Sequence, residues 1–458
     1  TEPTTESSLP PQTPREVVER YAQPGPRYTS YPTAPHFSDD PTLHADVLAA
    51  WAGATAPLAL YVHVPYCEKR CLYCGCHVQI ARNRALGETY VDDLLTELRL
   101  LGSLTRLDRP LELVALGGGT PTWLAPADLT RLIHGIREAM RPTADAEWSI
   151  EVDPRSVDRD YMALLLELGF NRFSFGVQDL KADVMAAVGR KQGVDEVRAA
   201  VEAVGPLPFN LDLMYGLPLQ TTTSLLETID EALTLGPSRI ALFGYAHVPW
   251  LKKQQRGMER HGLPGDQARL SMALAARAHL VKAGYVAIGI DHFARPDDEL
   301  AIARMRGGLH RNFMGYTVRP DLDLVALGVS GISQVAGTFT QNDKEVPTWR
   351  ATIADGKPAW ARTLQSSPDD VLRSAVIMDL MCHFAIDKHA ISARFGIDFD
   401  QHFDAERAQL TPLIGDGLVL DTPDRLQLSD LGELVVRNVA MIYDARLGQT
   451  DARYSRTV

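Results

Sequence analysis

Four of the five cysteines in this chain of 458 residues fall within one short stretch, at Cys67, Cys71, Cys74 and Cys76. The first three follow an apolar run, Leu58–Val64, that is typical of a β-strand. Closely spaced thiolates are ligands of zinc and of iron–sulfur clusters. The spacing therefore predicts a metal centre held by a loop that leaves the end of a strand.

The kind of metal centre depends on the fourth ligand. A structural zinc site is closed by four ligands, commonly two Cys-x-x-Cys pairs, and the sequence has no second pair. A four-iron cluster held by three cysteines would keep one iron open to a small molecule. Three other readings stay open from the loop alone: zinc bound by the three cysteines and His77, a closed cluster that uses Cys76, and reduced thiols without metal.

The bulk composition is that of a globular protein, with 45% hydrophobic and 23% charged residues. No window of about 18 apolar residues occurs, and the first residues lack the basic and apolar regions of a signal peptide. We therefore expect neither a membrane span nor secretion. A net charge of −12 argues against a nucleic-acid partner.

Strand-like and helix-like segments alternate from residue 58 onward. The predicted strands are 58–64, 111–116, 148–152, 173–177, 210–214 and 240–244, and helical patterns between them include 88–101, 126–140 and 222–235. Such alternation predicts a parallel α/β sheet, here an incomplete (β/α)6 barrel.

Polar residues recur at the predicted strand ends, which meet at one edge of a parallel sheet. They are Cys67, the glycines from Gly117 with Thr120, Glu151, Asp153, Gln178, Asp212, Tyr245 and His247. This edge is therefore the predicted site.

The chain is predicted to have three parts: an N-terminal extension over 1–50, the barrel with added elements over 51–360, and a mostly helical C-terminal domain over 361–458. Residues 1–20 are predicted to be a disordered lead. The proline- and aromatic-rich strip 21–37 is a candidate lid, or else a strip packed on the surface. A seventh β-like run is predicted at 285–290. Helical patterns at 369–384 and 403–414, a hairpin of 417–420 with 425–428, and a closing helix over 430–443 give the end of the chain a winged-helix character.

Several motifs, taken together and in this order, resemble the oxygen-independent coproporphyrinogen III oxidases (dehydrogenases) of the radical S-adenosylmethionine (SAM) superfamily. They are Pro24-Gly-Pro-Arg27-Tyr28-Thr-Ser-Tyr31-Pro-Thr33, the stretch from Tyr61 to Cys76, Gly117-Gly-Gly-Thr-Pro-Thr122, Glu151-Val-Asp-Pro154, Gly176-Val-Gln-Asp179, Asp212-Leu-Met-Tyr-Gly216, Tyr245-Ala-His247 and Asp291-His-Phe-Ala-Arg295.

The resemblance implies a [4Fe-4S] cluster on Cys67, Cys71 and Cys74, with Cys76 as a neighbouring thiol that is not a ligand. It also implies two molecules of SAM. The SAM contacts it implies are Tyr61, Tyr73, Gly118, Gly119, Thr120, Glu151, Gln178, Arg190, Asp212, Ala246 and Ile332. The second SAM would lie beside Ile332 and Phe313–Met314, although Met314 stands where the family has glutamine.

The implied activity is a radical SAM oxidoreductase of porphyrin and haem biosynthesis. It converts two propionates of coproporphyrinogen III to vinyl groups, giving protoporphyrinogen IX. The implied partners are a flavodoxin-type or reductase electron donor and an unidentified electron acceptor, for a cytoplasmic monomer. Arg27, Tyr28 and Arg295 are candidates for holding the substrate, since Arg pairs with carboxylates.

Two alternatives share the same scaffold: a related haem-binding chaperone without turnover, and a radical SAM methyltransferase or cyclopropane-forming enzyme. The Cys74-Gly-Cys76 ending and the segment 25–32 favour the oxidase. Haem titration, carbon dioxide release and methylated products would separate the three.

Overall fold

The computed structural model of the protein describes residues 10–11 and 13–456. The chain divides into two compact units. The larger comprises Phe37–Met272 and Arg319–Ser366. The smaller comprises the described residues up to His36, together with Ala273–Val318 and the described residues from Ser367 onward.

The strands, in chain order, are β1 (Leu58–Val64), β2 (Tyr66–Cys67), β3 (Gln79–Ile80), β4 (Pro110–Gly118), β5 (Arg141–Val152), β6 (Arg172–Gln178), β7 (Phe209–Tyr215), β8 (Arg239–Gly244), β9 (Val286–Ile288), β10 (His292–Ala294), β11 (His310–Asn312), β12 (Gly315–Thr317), β13 (Asp323–Leu327), β14 (Ile332–Val335), β15 (Thr338–Asn342), β16 (Trp360–Gln365), β17 (Ala385–Asp387), β18 (Val419–Asp421) and β19 (Arg425–Leu428).

The α-helices are α1 (Pro14–Tyr21), α2 (His44–Gly53), α3 (Ala85–Leu104), α4 (Pro126–Ala139), α5 (Arg159–Glu167), α6 (Ala182–Ala187), α7 (Val194–Glu202), α8 (Thr222–Thr234), α9 (Arg256–Glu259), α10 (Asp266–Lys282), α11 (Glu299–Arg306), α12 (Val346–Ala354), α13 (Pro368–His383), α14 (Lys388–Phe395), α15 (Phe399–His402), α16 (Asp404–Gly415) and α17 (Val436–Ile442). In the described part of the chain, no helix combines the length and the apolar character needed to cross a membrane.

The larger unit is built on a parallel sheet in the order β1-β4-β5-β6-β7-β8. On its other side β1 pairs in parallel with β13, and β14, β15 and β16 continue the sheet in antiparallel fashion. All six predicted strands and the parallel fold are therefore confirmed. Because the strands run in one direction, their carboxyl ends meet at one edge.

The helices between these strands cover the sheet with apolar faces. In α4 the buried residues are Leu129, Leu132, Ile133 and Ile136, at the three- and four-residue spacing of one helix face. The β1 strand is almost wholly buried, as expected of a parallel strand with both faces covered.

The strands β13–β16 were not predicted, and β15 shows why. It reads Thr338-Phe-Thr-Gln-Asn342, yet all five residues are buried. Its polar side chains are buried beside partners that are distant in sequence: Thr338 accepts from the Trp51 indole at 3.1 Å. No local apolar pattern marks such a strand.

A buried carboxylate, Glu97 of α3, anchors the turn that follows β13. It accepts hydrogen bonds from the Gly328 backbone N–H at 2.7 Å, the Asn342 amide at 2.7 Å and the Trp349 indole at 3.0 Å. These bonds tie α3 to β15 and α12 at a site where Glu97 is 2% exposed.

We expect Glu97→Ala to lower the free energy of unfolding by about 3 kcal/mol, because it leaves three buried donors without an acceptor. Denaturant titration followed by tryptophan fluorescence measures this. The exposed Glu88 on the same helix provides the control, since Glu88→Ala removes no buried bond. Equal stability of the two variants would contradict the role given to Glu97.

The smaller unit has a helical core and a small antiparallel sheet in the order β17-β19-β18. Its apolar cluster includes Val376 and Leu380 of α13, Val439 of α17, and Tyr28 and Tyr31 of the N-terminal strip. The predicted hairpin is confirmed as β18 and β19, in keeping with a winged-helix character. The predicted closing helix is only partly α-helical, since Gly432–Val435 is a 3-10 turn ahead of α17.

Two further sequence predictions differ from the structure. The disordered lead is wrong for 14–20, because α1 begins there with a capping box in which Thr13 and Glu16 satisfy each other's backbone N–H groups. Residues 1–9 and 12 lie outside the described residues. The run at 285–290 is a strand, β9, but it pairs antiparallel with β10 instead of extending a parallel series.

Candidate active site

The cysteine loop is closed at its base by a short parallel pairing. In β2 and β3, Tyr66 pairs with Gln79 and Cys67 with Ile80. The Cys67 carbonyl accepts from the Ala81 N–H at 3.0 Å, and the Cys67 sulfur lies 3.3 Å from the Thr120 hydroxyl. The loop thus projects from the carboxyl end of β1 beside the carboxyl end of β4.

Two arginines point at the sulfur of Cys71. Arg155 Nη2 lies 3.8 Å and Arg190 Nη1 lies 3.6 Å from Cys71 Sγ. Both guanidinium groups also donate to Asp153, at 2.6 Å from Arg155 Nη2 and 3.0 Å from Arg190 Nη2. Burial opposes ionisation of Asp153, but the two arginines hold its pKa below the usual value.

Local structure explains how these groups meet. Asp153 directly follows β5 and caps the 3-10 turn Pro154–Ser156 by accepting from the Arg155 N–H at 3.1 Å. The turn brings Arg155 back toward the loop. Arg190 follows Gly189, whose φ of 71° is in the left-handed region that glycine adopts without strain.

The thiols of the loop differ in proton affinity. Hydrogen bonding from Cys76 lowers the pKa of Cys74 to about 6, whereas burial raises the pKa of Cys67 to about 11. The charges of Cys71 and Cys74 also act on Cys67. The three thiols are therefore electrostatic neighbours, and a bound metal would deprotonate all of them.

Two carboxylates, Glu151 and Asp212, face the same edge. Glu151 of β5 accepts from the Gly118 N–H at 3.0 Å, and Asp212 of β7 accepts from Asn210 at 2.7 Å and Ser174 at 3.3 Å. Desolvation by the surrounding protein, and then the charge of Asp212, raise the pKa of Glu151 to about 7. Solvent nevertheless reaches Glu151, so this carboxylate is accessible to a ligand.

The glycines at the end of β4, Gly117 to Gly119, leave no room for a side chain. A Cβ on Gly118, whose φ is 111°, would lie 2.5 Å from the His63 ring. A Cβ on Gly117 would lie 2.8 Å from Glu151, and one on Gly119 would lie 2.8 Å from the Pro65 carbonyl. Glycine here lets β1, β4 and Glu151 come together, and contact of Gly118 and Gly119 with SAM stays a prediction.

The remaining SAM candidates of the larger unit lie on neighbouring elements. Gln178 ends β6 with a φ of 72°, a strained conformation for a residue other than glycine. The Tyr61 hydroxyl donates to His63 Nδ1 at 3.1 Å while His63 Nε2 donates to the His77 carbonyl at 3.0 Å. Gln255 donates to the carbonyls of both Tyr73 and Ala246.

The substrate candidates lie in the smaller unit and have protein partners there. Arg27 Nη2 donates to Asp291 at 3.0 Å, and Arg295 pairs with the exposed Asp297. The Tyr28 side chain is 1% exposed, and its hydroxyl donates to Asp444 at 2.9 Å. A substrate role for these three residues stays a prediction, as does a SAM role for Ile332, the first residue of β14.

Sequence reasoning missed Arg155, Gln254, Gln255 and the contact of Arg190 with Cys71. The signal for Arg155 was its position two residues after Asp153, where an Asp-Pro turn returns the chain to the strand end. Gln254 and Gln255 lie in no motif. Their contacts with the loop depend on tertiary structure.

The residues fit a [4Fe-4S] cluster and SAM. In the described part of the chain, no three His, Cys, Asp or Glu side chains converge tightly enough for a single metal ion. Cysteines that hold a four-iron cluster bind different iron atoms, so they need not converge on one point. The two guanidinium groups beside Cys71 would stabilise a negatively charged sulfur. The carboxylates of Glu151 and Asp212 would attract the positively charged amino and sulfonium groups of SAM.

We expect Arg155→Met to reduce iron retention and activity by about 10- to 100-fold, the usual effect of removing a partner of a metal ligand. The reason is the loss of one N–H donor to Cys71 and of one ion pair to Asp153. Iron per protein chain after gel filtration measures the first effect. Arg159→Met, at an exposed position four residues on, should keep its iron, and equal losses would contradict the prediction.

Comparisons with known proteins identify the family of this chain. Residues 61–232 match the radical SAM superfamily, and residues 366–435 match the HemN C-terminal domain. The chain is 40% identical to the oxygen-independent coproporphyrinogen III oxidase of Salmonella typhimurium, covering 94% of this chain and 95% of that protein. It is also 40% identical to the enzyme of that name from Pseudomonas aeruginosa, covering 97% and 98% of the two chains.

Among solved structures, coproporphyrinogen III oxidase (HemN) from Escherichia coli, described as a radical SAM enzyme, is 39% identical. It superposes with a TM-score of 0.89 over 92% of this chain and 98% of that chain. These similarities extend over both units. The chain therefore belongs to the oxygen-independent coproporphyrinogen III oxidase family of radical SAM enzymes.

Proposed function

We propose that this protein catalyses the oxygen-independent conversion of coproporphyrinogen III to protoporphyrinogen IX. The observation that carries the proposal is the meeting of two features at one edge of the parallel sheet. One is the loop of Cys67, Cys71 and Cys74, and the other is the carboxylate pair of Glu151 and Asp212. Family membership brings a [4Fe-4S] cluster and SAM as cofactors.

Each of the two propionates loses one hydrogen atom from its β-carbon, one carbon dioxide and one electron, and a vinyl group remains. When bound, the cluster and SAM together supply the radical that removes this hydrogen atom. The departing electron needs an acceptor, which the sequence does not identify. The protein has to orient the cofactors and the propionate and to exclude water.

Each residue of the site has a separate task in this proposal. Cys67, Cys71 and Cys74 would hold three irons, and Arg190 and Arg155 would stabilise the sulfur of Cys71. Glu151 and Asp212 would take the positive groups of SAM. The further SAM contacts would be Tyr61, Tyr73, Gly118, Gly119, Thr120, Gln178, Arg190, Ala246 and, for a second molecule, Ile332.

Propionate recognition would fall to Arg27, Tyr28 and Arg295. Arg27 is the strongest of the three, because its side chain remains 45% exposed while it pairs with the buried Asp291. A guanidinium that keeps this exposure is accessible to a carboxylate. Binding of a porphyrin analogue that does not react, measured for Arg27→Ala and Arg295→Ala, tests these roles. Wild-type affinity in both variants would exclude them.

We also propose that the protein is a cytoplasmic monomer that receives electrons from a flavodoxin-type donor.

The proposed domain organisation has three parts. They are an extension over 1–50 with a lid-like strip at 21–37, a barrel over 51–360 and a C-terminal domain over 361–458. The match to the HemN C-terminal domain lies within the last of these parts.

The test is an anaerobic assay with reconstituted protein, SAM, dithionite and coproporphyrinogen III. We expect protoporphyrinogen IX to appear together with 5′-deoxyadenosine and carbon dioxide. Haem binding without any of these products would instead indicate a chaperone. A methylated porphyrin without carbon dioxide would indicate a methyltransferase, and either result would overturn the proposal.

A further inference from the structure

The segment that follows β8 is hydrogen-bonded to the cysteine loop. Three of its side chains donate to three carbonyls of that loop, namely Lys252 Nζ to Cys76 at 2.9 Å, Gln254 Nε2 to Cys74 at 2.9 Å and Gln255 Nε2 to Tyr73 at 3.1 Å. Gln255 also accepts from the Val248 N–H at 2.6 Å. Residues 248–256 are therefore fixed against the backbone that carries the third cysteine.

The same segment presents two large apolar side chains to solvent. Trp250 is 51% exposed and Leu251 is 69% exposed. They stand directly before Lys252 and the exposed Lys253. A tryptophan beside an aliphatic residue with a charged rim is the usual composition of the centre of a protein–protein interface.

The charge of this region is opposite to that of the whole chain. Lys69 and Arg70 are exposed on the cysteine loop next to the exposed Glu68, and Lys252 and Lys253 lie beside it, whereas the chain carries a net charge of −12. Lys252 reaches the loop directly, since its Nζ lies 2.9 Å from the Cys76 carbonyl. A local basic area on an acidic protein selects an acidic partner and speeds its encounter.

We propose that Lys69, Arg70, Trp250, Leu251, Lys252 and Lys253 form a docking surface for an acidic one-electron carrier protein of the flavodoxin type. The inference rests on the proposed function, which consumes an electron at the cysteine loop. In the transfer the reduced carrier loses one electron and the site gains one, and no atom is exchanged. The hydrogen bonds from Lys252 and Gln254 place the docked carrier against the loop itself.

The test compares two electron sources with the same reconstituted enzyme. We expect Trp250→Ala and Lys253→Glu to raise the KM for reduced flavodoxin at least tenfold while changing dithionite-driven 5′-deoxyadenosine formation less than twofold. Lys357→Glu, which reverses charge at an exposed lysine of the same unit, should change neither. Added salt should raise the wild-type KM for flavodoxin and affect Lys253→Glu less.

Each result bears on the proposal. Unchanged flavodoxin kinetics in both variants, equal losses with both reductants, or a wild-type enzyme that accepts electrons from dithionite and not from flavodoxin would overturn it. Absence of turnover in the wild type with either reductant would count against the proposed function instead. In that case flavodoxin binding to wild type and to Lys253→Glu, measured calorimetrically, still decides whether the surface docks the carrier.

Discussion

Cys71→Ser is expected to lose the visible iron–sulfur absorption and the activity together. Its sulfur is the one approached by both Arg155 and Arg190, so the site is built for a thiolate at this position. A serine hydroxyl is a poor iron ligand, and two cysteines do not retain a four-iron cluster. Iron and sulfide content after anaerobic reconstitution, with 5′-deoxyadenosine formation, measure the effect.

Cys76→Ser is the matched control, because Cys76 is exposed and neighbours Cys74 on the same loop. It should keep the full iron content and most of the activity. If Cys76→Ser lost its iron as completely as Cys71→Ser, the cluster would be closed by four cysteines and the proposed open iron would not exist.

The second large effect is expected for Glu151→Gln, which should weaken SAM binding by about 10- to 100-fold. The variant removes a charge-assisted hydrogen bond to a cationic ligand, an interaction of about 1.5 to 3 kcal/mol. Calorimetric titration with SAM measures it. Glu138→Gln, at an exposed position on α4, should bind SAM as the wild type does.

The same carboxylate predicts a pH dependence. Its pKa is raised to about 7 in the protein without ligand, and the positive groups of SAM favour the ionised form. SAM affinity should therefore be constant above pH 7 and fall below it by up to about tenfold per pH unit, with proton release on binding. Glu151→Gln should abolish this slope, and a slope that survives would assign it to another group.

The sequence predicted the position of the site better than its internal contacts. Cys67, Glu151 and Asp212 were assigned to one edge because polar residues at the ends of parallel strands converge there whatever the details of packing. Arg155 was missed because its approach to Cys71 depends on a single 3-10 turn. The contact of Arg190 with that sulfur joins two residues that lie 119 positions apart in the sequence.

The strands of the sheet also differ in how well the sequence predicts them. The strands β1 and β4–β8 carry apolar runs that a local pattern detects. In contrast, β15 consists largely of threonine, glutamine and asparagine, and only its partners across the sheet, together with the indole of Trp51, make it a buried strand. The N-terminal strip contributes Tyr28 and Tyr31 to an apolar core whose other buried members, apart from Val17, lie several hundred residues later.

Electron paramagnetic resonance of the reduced, anaerobically reconstituted protein, recorded with and without SAM, tests the central claim most directly. If Cys67, Cys71 and Cys74 hold the cluster and leave one iron without a protein ligand, bound SAM would change the surroundings of that iron, and we expect the spectrum to change. A spectrum indifferent to SAM, or a protein that binds zinc in place of iron, would contradict the account.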